Sequence, residues 1–190
     1  PSAEPMEERF ETYTTTLNLL ASLPNLNQAL KNLPQVPQAD IKKVGIWGHS
    51  NGGHIGLSVL EITGRNYPTV LWAPVSNPFP YSILYFTDEY EDHGKKLRRL
   101  IADFEQYYDI EKFSPTNYFD WINASIQLHQ GLADQTVPPL FSQHLYEGLK
   151  AAGKNVELFT YEGADHNLSD PAFSLAIKRS LDFFDKYLKN

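Results

Sequence analysis

The chain has 190 residues, 42% hydrophobic and 21% charged, the balance of an ordinary folded domain, which excludes a disordered or collagen-like polypeptide. Its net charge of -7 at pH 7 opposes a grip on nucleic acid, whose phosphates demand clustered Lys and Arg. Cysteine is absent, so disulfide staples and thiolate chemistry are excluded, while the compartment stays undetermined.

The first periodic segment runs from Glu7 to Leu23. Phe10, Tyr13, Leu17 and Leu20 recur there at the three- and four-residue spacing of an amphipathic helix, which Pro24 is expected to end. Residues Asn25 to Asp40, with Pro34 and Pro37 among polar neighbours, read as a connection with a short helical turn at Gln28 to Leu33. Val44 to Gly48 is a short, nearly continuous apolar run, as expected of a strand buried on both faces of a parallel sheet. A second helix follows at once, with Ile55, Val59 and Ile62 on one side and Gly64 placed to terminate it.

A second buried strand fits Thr69 to Val75, a third lies near Ser125 to His129 and a fourth near Val156 to Tyr161. Pro139 to about Ala152 reads as a helix, with Phe141, Leu145 and Leu149 aligned and Gly153 just past its end. The last helix opens at Ser169 or Asp170 with Pro171 in its first turn, and carries an apolar ladder of Phe173, Ile177, Leu181, Phe184 and Leu188. Strands alternating with helices imply an α/β fold: one domain over 1–190, its parallel sheet covered on both faces. Residues 77–121 interrupt the alternation as a helical insertion dense in aromatics, among them Phe79, Tyr85, Phe86, Tyr90 and Trp121. Within it Lys95, Lys96, Arg98 and Arg99 read as a solvated helix face.

No apolar run approaches the roughly 20 residues of a membrane span, so no membrane partner is expected. No signal peptide is visible, but the chain begins at Pro1 rather than Met, so a true N-terminus is expected upstream and localisation is left open.

Chemistry enters directly after the first strand, where Gly48-His49-Ser50-Asn51-Gly52-Gly53 places G-x-S-x-G between a strand and a helix. A serine lifted on so tight a turn needs small neighbours, here Gly48 and Gly52, for the strained backbone to turn and the hydroxyl to project. The helix that follows aims its positive end at Ser50, so the Asn51 amide can donate to a developing oxyanion. A phosphate-binding loop would need a Lys after the glycines, and none stands there.

A serine hydroxyl is a weak nucleophile until a base takes its proton. His166, in Glu162-Gly163-Ala164-Asp165-His166-Asn167, stands just beyond the fourth strand, at the end of the sheet where the first strand delivers Ser50. His49 and His54 are too local to reach around onto the hydroxyl and read as turn or helix packing. His144 lies on a helix, His93 in the insertion, and His129 reads as a core or supporting residue. The acid is Asp134, in Gly131-Leu132-Ala133-Asp134-Gln135-Thr136-Val137-Pro138, which gives the order Ser, Asp, His. Asp165 is the alternative acid, although an adjacent loop residue rarely curls back onto its neighbour's ring.

These three motifs together resemble the catalytic part of the prolyl oligopeptidase-like α/β hydrolases, from about Phe10 to the C-terminus. The resemblance implies a three-layer α/β-hydrolase fold and hydrolysis of a peptide or carboxylic ester bond through an acyl-enzyme, with Ser50, Asp134 and His166 as the triad and neither metal nor other cofactor. The family carries further strands and an oxyanion loop upstream, and none precedes Phe10 here. The sheet is therefore expected to lack its N-terminal strands, and Val44 to Gly48 to be paired on its second side by an upstream segment or a second chain. The competing reading is a noncatalytic interaction domain or inactive fragment that keeps the fold and uses its aromatic insertion for docking.

Overall fold

The computed structural model describes residues 6–31, 33 and 35–189; the parts of the expected connection at 32 and 34 lie outside them. Four parallel strands stand in chain order, β1 (Ile46–His49), β2 (Thr69–Trp72), β3 (Ile126–Gly131) and β4 (Val156–Tyr161). Between and around them run α1 (Met6–Leu30), α2 (Asn51–Thr63), α3 (Tyr81–Leu84), α4 (Lys95–Glu105), α5 (Pro139–Ala151) and α6 (Ala172–Leu188).

Alternation along each strand divides the core between two faces. Leu71, Ile126, Leu128 and Val156 pack against Leu57 and Leu60 of α2 and Leu145 and Leu149 of α5. Val70, Trp72 and Tyr161 point the other way and pack against Ala176 and Phe183 of α6. The result is the expected three-layer arrangement of an α/β-hydrolase fold. A separate cluster joins α1 to the insertion, with Met6 and Phe10 against Phe79, Ile101 and Phe104. Residues 77–121 contain α3, α4 and short single-turn helices, and the Lys and Arg residues of α4 are exposed.

Several sequence expectations need correction. Pro24 does not end the first helix but lies inside α1. A proline forfeits one helical hydrogen bond; beyond it the chain is held by Asn27, whose side chain donates to Ala39 O at 2.8 Å and accepts from Ala39 N at 2.9 Å. On α2, Ile62 is exposed, whereas Gly53, His54 and every residue from Gly56 to Glu61 are buried, because this helix is covered by the sheet on one side and by α1 on the other. The ladder of α6 meets the core only at its C-terminal end, where Phe184 packs against the cluster around Phe183. Its buried stripe is Ala172, Ala176, Ser180 and Phe183, while Phe173, Ile177 and Leu181 stay exposed. Small residues let the helix lie close to the sheet, and the larger ladder is left on its flank.

β1 begins two residues later than expected, and its second face is only partly covered. Ile46 packs into the core beneath α2, while Trp47, on the opposite face, is 53% exposed and touches the edge of the Trp72 ring. β1 has β2 on one side and no strand on the other among the described residues.

The α1–α2 interface holds an unusual group. Glu61 is buried, its Oε1 has no hydrogen-bond partner, and burial pushes its carboxyl up to about 9, so it carries a proton at neutral pH. Beside it burial also raises the Tyr13 phenol to about 12 and lowers the His54 imidazole to about 4.

Candidate active site

The residues singled out in the sequence emerge at the carboxyl ends of three strands. Ser50 follows β1, Asp134 follows β3 and His166 follows β4. Each is set there by its local backbone.

Ser50 has φ 56 and ψ -119, a conformation that a residue with a Cβ adopts only under restraint. The restraint is visible: the Ser50 N–H donates to Trp72 O at 2.9 Å, and the Ser50 carbonyl accepts from Gly53 N and Val75 N, both at 3.0 Å. Gly48 is required sterically, since a Cβ there would lie 2.4 Å from Gly52 O. The same argument fails for Gly52, where a Cβ would meet nothing within 4 Å. The second glycine the turn needs is Gly53, whose Cβ would stand 2.6 Å from Pro74 Cβ. Asn51 opens α2, and its N–H finds no backbone acceptor among the described residues, so it points out of the helix end unused.

Asp134 is buried and fully bonded. Its Oδ1 accepts from Thr136 N and Val137 N, both at 2.8 Å, and its Oδ2 accepts from Gln130 Nε2 at 3.0 Å and from His166 Nδ1 at 2.8 Å. The bond to His166 leaves Nε2 as the free nitrogen of that ring. Gly131 allows this meeting: a Cβ on it would lie 2.3 Å from Asp165 O and 2.4 Å from Ala164 O, so only a glycine lets the loop after β4 cross the end of β3. The two loops are then stitched by Leu132 N to Tyr161 O and Ala133 N to Ala164 O, both at 2.9 Å.

The alternative acid, Asp165, makes its hydrogen bonds away from the His166 ring. It accepts from Asn167 N, Ser169 N and Ser169 Oγ; the Ser169 bonds hold its carboxyl below the usual carboxylate range. His129 is a core residue as read: its Nε2 donates to Gln127 Oε1 at 2.6 Å, its Nδ1 accepts from the Tyr161 hydroxyl at 2.7 Å, and burial lowers it to about 3. His54 donates from Nδ1 to Val75 O.

Asp134 and His166 are thus brought together directly. Ser50 follows the edge strand β1, separated from β3 by β2, and its hydroxyl makes no side-chain hydrogen bond among the described residues. One residue that sequence reasoning set aside links the two: His49, adjacent to Ser50, bonds through Nε2 to His166 O at 3.0 Å, with the two imidazole centroids 4.6 Å apart. No local signal announces this contact, because the partners are 117 residues apart.

A cleft of about 960 Å³ opens beside Ser50 and Asn51. Val75, Ile83, Phe86, Tyr90 and Val137 wall it, so residues of the aromatic insertion line the same cleft as Ser50. Among the described residues no group of His, Asp and Glu side chains is arranged to hold a metal ion.

Comparison with known proteins gives one consistent picture. The model of the prolyl oligopeptidase family matches residues 7–190. A Schizosaccharomyces pombe protein provisionally named a dipeptidyl aminopeptidase is 30% identical over 155 residues, covering 81% of this chain and 18% of that protein. The uncharacterized peptidase YtmA of Bacillus subtilis is 29% identical over 142 residues, covering 73% of this chain and 53% of YtmA. Among solved structures, the acylaminoacyl peptidase of Pyrococcus horikoshii superposes with a TM-score of 0.61 at 22% identity, covering 87% of this chain and 27% of that one. The chain therefore spans between about a fifth and about half the length of the curated relatives named here.

Proposed function

The chain belongs to the prolyl oligopeptidase family, a family of peptidase-type hydrolases, and from that premise we propose that it carries the triad of a serine hydrolase acting on a peptide or carboxylic ester bond through an acyl-enzyme. The observation that carries this reading is the 2.8 Å bond from His166 Nδ1 to the buried Asp134 carboxylate, which leaves Nε2 free on a loop tied to the nucleophile's strand through His49.

The steps follow from that arrangement. Ser50 Oγ attacks the substrate carbonyl carbon, its proton passes to His166 Nε2, and the carbonyl electron pair moves onto oxygen. Asp134 holds the ring by Nδ1 and stabilises the imidazolium, while the Asn51 N–H at the positive end of α2 stabilises the oxyanion. Collapse of the tetrahedral intermediate expels the amine or alcohol, which takes the proton from Nε2. A water then repeats the sequence on the acyl-enzyme and frees Ser50. Catalytic hydrogen bonds often tighten only when substrate closes the site, so an unbonded Ser50 hydroxyl is compatible with this role. The cleft sets an apolar wall of Val75, Ile83, Phe86 and Val137 beside the charged Glu8, Arg9, Glu91, Asp92 and Lys96, so it can hold an apolar group with a polar or charged one next to it.

The decisive experiment is labelling with a fluorophosphonate probe. It is expected to modify Ser50, mapped by mass spectrometry, and Ser50→Ala is expected to lose both labelling and ester hydrolysis by the full-length protein. Unchanged hydrolysis in that variant, or no labelling of the wild type, would favour the noncatalytic reading.

The sheet itself points to a polypeptide partner. Ile46 N and Ser50 N bond toward β2, so by alternation Trp47 and His49 present their backbone groups to the open edge. Trp47 on that strand is exposed, and an open edge with an exposed apolar residue invites strand addition. The proposal is that an upstream segment or a second chain pairs with β1. Amide exchange at Trp47 and His49 is then expected to be fast in the isolated 190 residues and slowed in the full-length protein. Equal rates in the two would remove the proposal.

A further inference from the structure

We infer that His49 is a positioning residue for the general base, holding the His166 loop against the strand that carries the nucleophile. The inference rests on the triad reading above. Three contacts argue for it. First, His49 Nε2 lies 3.0 Å from His166 O; a carbonyl only accepts, so Nε2 carries the hydrogen and the bond fixes the ring's orientation. Second, the His49 ring packs on that of His166, with centroids 4.6 Å apart and planes tilted by 40°. Third, the Trp47 ring stacks with His49 at 6.3 Å, so His49 is braced by the strand residue two positions before it.

The mechanical consequence concerns the weakest point of the site. The Asp134 bond fixes His166 at Nδ1, but that bond alone lets the ring swing about it. Nothing in the loops after β3 and β4 relates Nε2 to Ser50, which belongs to a different strand. His49 is the last residue of β1 and is bonded in sequence to Ser50, so its grip on the His166 backbone measures the base from the nucleophile's own strand. A displacement of about 1 Å between reacting groups costs about a hundredfold in rate, so a single bond that fixes this spacing has kinetic weight.

Ordinary ring packing is the bland alternative, and variants separate the two. In the full-length protein, the concentration dependence of Ser50 phosphonylation gives a maximal labelling rate and an apparent affinity for the probe. His49→Phe keeps a ring in place but removes the donor, and His49→Gln removes the ring but keeps an amide N–H of similar reach. We expect His49→Phe to lower the maximal labelling rate about tenfold to a hundredfold with probe affinity within about twofold. His49→Gln should recover most of the rate, and the low-field proton resonance of the His166 Nδ1–Asp134 bond should broaden in His49→Phe and sharpen again in His49→Gln. Thermal unfolding of each variant checks that it is folded. A wild-type rate in His49→Phe, or a His49→Gln no faster than His49→Phe, overturns the inference while leaving the triad standing. A wild type that does not label overturns both.

Discussion

Two carboxyl groups are buried among the described residues, and the regions around them treat them in opposite ways. Asp134, in the loop pair after β3 and β4, receives four hydrogen bonds. Glu61, on the helix that follows the nucleophile, leaves one oxygen without a partner. A buried charge is tolerable only when donors replace its lost water, so Asp134 can serve as an anion, while Glu61 avoids the cost by keeping its proton. The proposed acid and base are thus held by two loops stitched to each other and tied to β1 through His49. The proposed nucleophile belongs to a less finished region: a strand at the sheet edge among the described residues, a strained turn and a helix that carries an unsatisfied acid. The fully bonded region is the one arranged to hold a charge.

The largest effect that tests the contrast is chemical. Ser50→Ala is expected to lower ester hydrolysis by the full-length protein about a millionfold, and Asp134→Asn about ten-thousandfold, since binding and the oxyanion contact survive the second change. Both variants should unfold cooperatively, as judged by thermal melts followed by circular dichroism. Equal activity in Asp134→Asn and wild type would move the acid role elsewhere and dissolve the contrast.

A smaller effect is expected where the two loops cross. Gly131→Ala places a Cβ 2.3 Å from a backbone oxygen, so the loop after β4 must retreat and carry His166 away from Asp134. Destabilisation on the order of 1–3 kcal/mol should accompany a loss of Ser50 labelling. Gly52→Ala is the control: its Cβ enters open space, and its stability should stay near that of the wild type. If urea midpoints of the two variants coincide, the steric account of Gly131 is wrong.

The smallest effect concerns Glu61 and depends on pH. Its carboxyl titrates at about 9 when folded against 4.5 ordinarily, so between those values unfolding releases a proton and stability falls as pH rises. The stabilisation is complete below about 4.5 and is lost on passing 9. Glu61→Gln keeps the shape without the ionisation, and its advantage over the wild type should widen across that range, on the order of 1–3 kcal/mol at the alkaline end. Parallel urea midpoints from pH 5 to 9 would show that α1 does not seal this carboxyl from water.

The distance over which each feature is specified separates what could be read in the chain from what could not. Residues 48–53 announced the strained turn because a tight backbone excludes a Cβ within a few positions, and β4 and α5 were legible to within a residue or so because their periods repeat locally. The order Ser50, Asp134, His166 identified the candidate triad for the same reason: each stands just past a readable strand. Hydrophobic period alone could not say which stripe of α6 faces inward, because small Ala176 and Ser180 win the sheet by close approach and leave Phe173, Ile177 and Leu181 outside. Nor could it show that the helix runs through Pro24, that Gly131 makes room for Ala164 and Asp165, or that His49 touches His166. Periodicity and turn sterics act between near neighbours, so the sequence by itself determined the elements and the identity of the candidate nucleophile, base and acid. Contacts between strand ends depend on register and layer spacing, which exist only once the sheet has formed, and these decided which groups meet.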